Sequence, residues 1–257
     1  MNLVNSLILG IVEGITEFLP ISSTAHLIIA SKLLNMPQTE FQKFFEVFIQ
    51  AGAILAVVVL YFNYARKSWE IMKRIIVSFL PTAIVGFLLH KIIKTVFFES
   101  FGLITGSLMV IGAVFMILEY LVASKQLKLR KSLKDLSFVD AFIVGIGQSL
   151  AVVPGVSRAG IVMVTMMAKG YRRDESALYS FLLAVPTILA ASGYDLLKSD
   201  LATILVPNNL LFLTIGFVTS FVTAYFSVKW LIDYLKLKTL VGFGIYRMIL
   251  SLTLIMV

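Results

Sequence analysis

The stretch Glu13-Gly-Ile-Thr-Glu17-Phe-Leu-Pro20-Ile-Ser22-Ser23-Thr24-Ala-His26 places two carboxylates, two serines and a histidine within fourteen residues, inside an apolar run that starts at the N-terminus. Glu13 and Glu17 are four residues apart, so a helix stacks them on one face. Pro20 cannot supply the next helical hydrogen bond, and it pushes Leu19 out of the helical region. Ser22, Ser23 and Thr24 follow, and each can cap a new helix. The stretch therefore reads helix, break, helix, with the polar groups collected at the break.

The surroundings of that stretch are those of a lipid-embedded chain. Of its 257 residues, 59% are hydrophobic, and the mean hydropathy is +0.97. Several runs are long enough to cross a bilayer. The alternating short segments of a β-barrel are not seen. The opening run carries two glutamates and no basic leader, so it is not expected to be a cleaved signal peptide. With no cysteine, disulfides, thiolate metal sites and cysteine nucleophiles are excluded. The net charge of +8 resides in short loops, a distribution suited to anionic lipid head groups rather than nucleic acid.

Outward from the first break, spans are expected near 44–62, 75–92 and 101–123. A second broken segment is expected at about 138–168, followed by spans near 176–197, 209–231 and 239–257. The order is a broken segment and three spans, twice. Val4-Asn-Ser-Leu-Ile-Leu-Gly10-Ile-Val-Glu13 aligns with Val139-Asp-Ala-Phe-Ile-Val-Gly145-Ile-Gly-Gln148. After the loss of one residue Pro20 falls on Pro154, and Ile54-Leu-Ala56 falls on Ile188-Leu-Ala190. Gln148 stands where the first half has Glu13, so only that half carries the acids.

Charge gives the expected topology. Arg66, Lys67, Lys73 and Arg74 share one loop, and Lys125, Lys128, Arg130, Lys131 and Lys134 another. Lys169, Arg172 and Arg173 follow the second broken segment, while Lys229, Lys236 and Lys238 flank the last turn. All should be cytoplasmic. Only Lys32, Lys43, Lys91, Lys94 and Lys198 remain for the outside. This count works only if each broken segment enters and leaves on the same side, the first from outside and the second from inside. The expected fold is thus an all-α polytopic membrane protein, one membrane domain over 1–257. It has two inverted-topology repeats, 1–134 and 135–257, each a re-entrant helix pair plus three transmembrane helices. Both termini lie outside. Two breaks meeting near the midplane would line a cavity.

The second break reads Pro154-Gly-Val-Ser157-Arg158-Ala-Gly160. An arginine at that depth costs at least about 2.5–3.5 kcal/mol on insertion scales, so it needs partners. Glu13 and Glu17 are the available ones. Arg158 is then either a structural counter-ion or, with a helix N-terminus beside it, an anion site suited to phosphate. Ser23 is either a cap or a nucleophile. His26, three residues on, is expected beside Ser23 as an acid or base, with a histidine nucleophile as the lesser branch. Glu13 and Glu17 can be metal ligands, general bases or both. Arg247, inside the last span, reads as a packing or counter-ion arginine. Glu46, Glu119 and Asp140 lie near span ends and are expected to be solvated.

The two motifs, with Phe48-Ile-Gln-Ala-Gly-Ala-Ile-Leu-Ala56 and Phe79-Leu-Pro-Thr-Ala83, resemble the segments of the undecaprenyl-diphosphate phosphatase family, also called bacitracin-resistance proteins. The resemblance runs over essentially the whole chain. It implies a multi-pass enzyme of the bacterial cytoplasmic membrane, with its active site opening to the outer face. Such an enzyme removes the terminal phosphate of a polyprenyl diphosphate and recycles the lipid carrier of cell-wall synthesis. Carried over residue by residue, the catalytic set is Ser23, His26, Glu17, Glu13 and Arg158. Arg158, Ser157, Ser22 and Thr24 hold the substrate. Three positions depart from the family pattern: Ala25 replaces a glycine, and Ala159 and Val162 replace two hydroxyls. A homodimer is compatible with this scheme. A polyprenyl-phosphate flippase without hydrolysis is the alternative, since broken-helix inverted repeats are also a transporter plan.

Counting charge adds a cofactor expectation. Two glutamates and one arginine leave the pocket at −1, and a diphosphate ester adds roughly −2 to −3 by analogy with phosphorylated side chains. Helix N-termini return about half a charge each. Mg²⁺ or Ca²⁺ held by Glu13 and Glu17 would close the deficit; one protonated glutamate acting as general acid is the metal-free alternative.

Overall fold

A computed structural model describes residues 1–37, 39–92, 100–198 and 206–256. The expected outer loop around 93–99, with Lys94, lies outside the described residues. Ten α-helices are described: α1 Leu3–Thr16, α2 Ser23–Leu33, α3 Glu40–Lys67, α4 Trp69–Ile92, α5 Phe101–Ala123, α6 Phe138–Ser149, α7 Arg158–Ala168, α8 Arg173–Lys198, α9 Pro207–Leu237 and α10 Val241–Ile255. Short 3₁₀ turns at Leu133–Asp135 and Leu150–Val152 precede and follow α6. Among the described residues there is no β-strand, only an isolated bridge between Lys131 and Tyr171.

Helix lengths separate spans from half-helices. Five helices, α3, α4, α5, α8 and α9, are long and apolar enough to cross a membrane. Helices α1, α2, α6 and α7 have 14, 11, 12 and 11 residues. At 1.5 Å per residue they reach roughly 16–21 Å, well short of the ~30 Å hydrocarbon layer. The expected sixth span, 239–257, is shorter than read: α10 has 15 residues. Leu240 turns the chain after α9 with its backbone amide held by Glu119 Oε1 at 2.8 Å, so α10 begins inside the packed region beside α5.

The pairing of helices follows small residues. Helix α1 lies along α9, and α6 along α4. A Cβ at Gly10 would meet the Gly216 carbonyl oxygen at 2.7 Å, and one at Gly145 would collide with the Ser78 backbone. Glycine at these two positions lets the backbones touch, as is common where lipid gives helices no hydrophobic reason to associate. Helices α3 and α9 pack together, as do α8 and α4, with α3 against α8 and α5 against α10.

The largest apolar cluster surrounds both breaks. Phe18, Leu19 and Ile21 from the first, and Val156, Ala159 and Ile161 from the second, meet Ala53 and Val57 of α3, Phe115 of α5, Phe181 of α8 and Val228 of α9. Irregular backbone at membrane depth is tolerable when protein covers it, and this core provides the cover.

Three acids read as solvated are not. Glu119 is 4% exposed and accepts a bidentate pair from Arg173, at 2.7 Å to Nε and a shorter contact to a terminal nitrogen. Asp140 is 7% exposed and takes Lys169 Nζ at 3.0 Å and the Tyr171 hydroxyl at 2.9 Å. Glu46 is half-buried and accepts from Gln42 at 2.9 Å and Ser31 at 3.0 Å. Apart from Gln42, which shares α3 with Glu46, their partners come from other helices or distant loops, which is why span-end position alone misplaces them.

Candidate active site

The two breaks are built alike. Helix α1 ends at Thr16, four residues before Pro20, and α2 starts again at Ser23. Helix α6 gives way to a 3₁₀ turn before Pro154, and α7 starts at Arg158. The residue before each new half-helix is a serine in the left-handed half of backbone space, Ser22 at φ 74° and Ser157 at φ 70°. Such conformations are costly for non-glycine residues and concentrate at functional sites. Ser157 Oγ caps α7 by accepting from the Gly160 amide at 3.2 Å. Ser22 makes no such side-chain cap.

Glu17 joins the two breaks. Its Oε2 accepts the Ser23 hydroxyl at 2.5 Å, and its Oε1 accepts Arg158 at 3.1 Å. The pair is nearly dry, with Glu17 and Arg158 side chains 8% and 11% exposed. Arg158 also donates to the Ser180 carbonyl at 2.9 Å and lies over the Phe18 ring, 5.8 Å from its centroid. The expected contact between Glu and Arg across the break is therefore present, and it is Glu17 that makes it.

Glu13, one turn earlier, is fully buried, and neither carboxylate oxygen has a hydrogen-bond partner among the described residues. The same holds for Arg158 Nε and Ser180 Oγ. Orphaned polar atoms are rare in folded chains and ask for a ligand. Four of the eight such atoms among the described residues belong to Glu13, Arg158 and Ser180. Gln148, at the matching place in the other half, is tied by its Nε2 to Thr82 at 2.9 Å and Thr187 at 3.3 Å, while its Oε1 is without a partner among the described residues.

His26 departs from expectation. One ring nitrogen, Nδ1, lies 2.7 Å from the Ser22 carbonyl oxygen, and the other, Nε2, lies 2.7 Å from the Tyr246 hydroxyl. With Nδ1–H donating to the carbonyl, Nε2 accepts from the phenol. Both nitrogens are engaged away from Ser23, whose proton faces Glu17. Helical spacing brings His26 near Ser23 along the chain, but the ring turns toward α10. Thr24 sits half-buried in the first turn of α2.

Two contributors came from the far end of the chain. Arg247 is fully buried and donates to the carbonyls of Pro20 at 3.1 Å, Gly155 at 2.5 Å and Val156 at 3.2 Å. It rests over Phe115, 5.7 Å from the ring centroid. Its charge is met by backbone dipoles of both breaks, so of its two expected roles the packing one holds. Tyr246 carries no signal in the sequence beyond being a phenol next to an intramembrane arginine in an apolar run. As for metals, no group of three or more histidines, cysteines or acids that could hold an ion occurs among the described residues. Among the described residues, Glu13 and Glu17 are the carboxylates of this site, with the Ser180 carbonyl and the Ser23 hydroxyl as neutral oxygens beside them.

Known proteins resemble this chain over nearly its whole length. Residues 6–253 match the family described as bacitracin resistance protein BacA. A curated relative from Aquifex aeolicus, named undecaprenyl-diphosphatase, is 46% identical over 247 residues, covering 96% of this chain and 95% of the relative. Relatives of the same name from Persephonella marina and Wolinella succinogenes are 45% and 42% identical, with 98% of this chain covered in each case and 97% and 96% of the relatives. With the match running through both breaks and nearly end to end, the chain belongs to the BacA bacitracin-resistance family.

Proposed function

We propose that the protein is a membrane phosphatase that hydrolyses undecaprenyl or a similar polyprenyl diphosphate to the monophosphate and inorganic phosphate. The observation that carries this reading is the buried line Ser23–Glu17–Arg158, a hydroxyl, a carboxylate and a guanidinium in direct contact. A carrier that only moved the lipid would need the cation but not a serine hydrogen-bonded to a carboxylate.

Ser23 Oγ attacks the terminal phosphorus while Glu17 takes its proton. The Oγ–P bond forms as the bond from that phosphorus to the bridging oxygen breaks, and the lipid monophosphate leaves. Water then attacks the phosphoserine, releasing inorganic phosphate and restoring Ser23. Arg158, with an uncommitted Nε, is placed to stabilise charge on the transferring phosphoryl group. Ser157, Ser22 and Thr24 are the hydroxyls of the two breaks available to the phosphates. Glu13, whose two buried oxygens are uncommitted, would hold a divalent cation, and Glu17 would be the second ligand by sharing an oxygen that also accepts from Ser23 or Arg158. Mg²⁺ or Ca²⁺, when bound, would neutralise diphosphate charge, and the phosphate oxygens would complete a set that two carboxylates alone do not.

The fold reading that accompanies this is two inverted repeats, with both termini and the first re-entrant pair facing outward. It is supported by the paired packing of α1 on α9 and α6 on α4, and by the two eleven-residue half-helices that each follow a positive-φ serine. The loop lysines and arginines support the orientation in the bacterial cytoplasmic membrane.

Phosphate release by the purified protein from undecaprenyl diphosphate, with and without a chelator, tests the proposal. Activity that collapses in chelator and returns with Mg²⁺ or Ca²⁺ supports both parts. Full activity in chelator overturns the metal and leaves a protonated glutamate in its place. No release under any condition overturns the enzyme.

A further inference from the structure

The first break is held from the far end of the chain at two points. Arg247 of α10 donates to the Pro20 carbonyl at 3.1 Å. The hydroxyl of its neighbour Tyr246 lies 2.7 Å from His26 Nε2, and His26 Nδ1 lies 2.7 Å from the Ser22 carbonyl oxygen. The Tyr246 and His26 rings stack, with planes 11° apart and centroids 5.7 Å apart. Behind these contacts α10 is a fixed post. A Cβ at Gly112 of α5 would meet the Gly244 carbonyl oxygen at 2.9 Å, so the two helices touch backbone to backbone. Ser22 needs such a hold. At φ 74° it occupies a conformation that persists only where its surroundings impose it. Ser157, its counterpart at φ 70°, is held locally, because its own hydroxyl caps Gly160 at 3.2 Å. Ser22 makes no such cap.

We propose that Tyr246 is a positioning residue for Ser23: through His26 it fixes the left-handed turn at Ser22 that presents the Ser23 hydroxyl to Glu17. The inference rests on the diphosphatase reading and adds to that site a residue from outside both breaks. The contacts allow one arrangement of the neutral ring. A carbonyl only accepts, so Nδ1 carries the proton. Nε2 is then the acceptor, and the phenol donates to it. Without the phenol, Nε2 has lost its donor and the ring is free to turn away from Ser22. Ser22 then relaxes toward ordinary backbone angles, and Ser23, the next residue, moves off the Glu17 oxygen that it meets at 2.5 Å. Arg158 keeps its contacts with Glu17 and the Ser180 carbonyl. Substrate binding is therefore kept while phosphoryl transfer slows.

The test is a double-mutant cycle on the purified full-length protein, read as kcat and KM for phosphate release from undecaprenyl diphosphate. Tyr246→Phe should lower kcat about tenfold to a hundredfold, as a displaced nucleophile does, and leave KM within about twofold. His26→Gln should lower kcat as well. Because Tyr246 acts through His26, adding Tyr246→Phe to His26→Gln should cost no more than about twofold further. A wild-type kcat in Tyr246→Phe overturns the proposal. Fully additive losses also overturn it, because they would give the phenol a role independent of the imidazole. Nitrogen-15 NMR of the histidine-labelled wild-type protein supplies a reading that does not depend on how Tyr246→Phe folds. The chain has two histidines, and the signals missing from His26→Gln belong to His26. At about pH 8, above the ordinary histidine range, they should be those of a neutral ring protonated on Nδ1. A neutral ring protonated on Nε2 would overturn the brace. If the wild-type protein releases no phosphate, it is the diphosphatase reading that fails, and the ring signature alone then decides whether Tyr246 holds His26.

Discussion

Replacing Glu17 by glutamine keeps the shape of the central link and removes its charge. Two interactions change together. Ser23 loses the base that accepts its proton at 2.5 Å, and Arg158 loses the carboxylate at 3.1 Å. A positioned general base is worth about 10²–10⁴ in rate, so the phosphorylation step should slow by that factor. Glutamine still offers a carbonyl to one partner, so the structural cost is that of downgrading a charge-assisted hydrogen bond in a nearly dry site, about 1.5–3 kcal/mol. The full 3–5 kcal/mol of a broken buried pair is not expected, because Arg158 keeps the Ser180 carbonyl at 2.9 Å. The assay is rapid-quench trapping of the phosphoserine from substrate labelled on its terminal phosphate, with thermal unfolding in detergent run in parallel. A folded Glu17→Gln protein that forms phosphoserine within tenfold of the wild-type rate would refute Glu17 as the base. His26 would then have to leave the Tyr246 hydroxyl to serve Ser23.

Other perturbations have equally definite outcomes. Ser23→Ala should abolish phosphoserine and most phosphate release while the protein folds normally; near-native turnover would return Ser23 to a capping role. Arg158→Lys keeps the charge but cannot reach Glu17 and the Ser180 carbonyl in one planar fork, so kcat/KM should fall at least about a hundredfold. Arg247→Met should lower the unfolding midpoint markedly and disorder both breaks, since three carbonyls lose their donor together; unchanged stability would contradict the clamp. Single cysteines introduced into this cysteine-free chain at Asn35 and Asn208 should be labelled from outside intact cells, and those in 124–137 should not. In that loop the Ser132 backbone amide and hydroxyl hold the Asp135 carboxyl below its usual range. Its contribution is therefore present above the unfolded pKa and lost as pH falls through the folded one. Acid should raise proteolysis of this loop, and Asp135→Asn should remove the pH dependence.

Much of this protein could be read along the chain. Hydropathy and loop charge told of a polytopic helical membrane protein. The proline of each break and the serines that follow it located both half-helix junctions, because each depends on neighbours within a few residues. Glu13, Glu17, Ser23 and Arg158 could be picked out for a related reason: polar groups at membrane depth are costly, so few are present and each needs a partner. Which partner each one took was decided only by the tertiary structure. Glu17, not Glu13, meets both Ser23 and Arg158, because the register between the two half-helices brings that turn of α1 to the second break. His26 faces Tyr246 across 220 residues of sequence, and no helical spacing could reveal that contact. Arg247 binds carbonyl groups, which the sequence does not distinguish from any others until the breaks bring them together. Glu119 and Asp140 sit where solvent would be expected, yet are buried by loops that fold back onto them. Local chemistry determined the breaks and the polar residues beside them; the pairing of charges arises where distant segments meet, at distances that the chain's own periodicity does not encode.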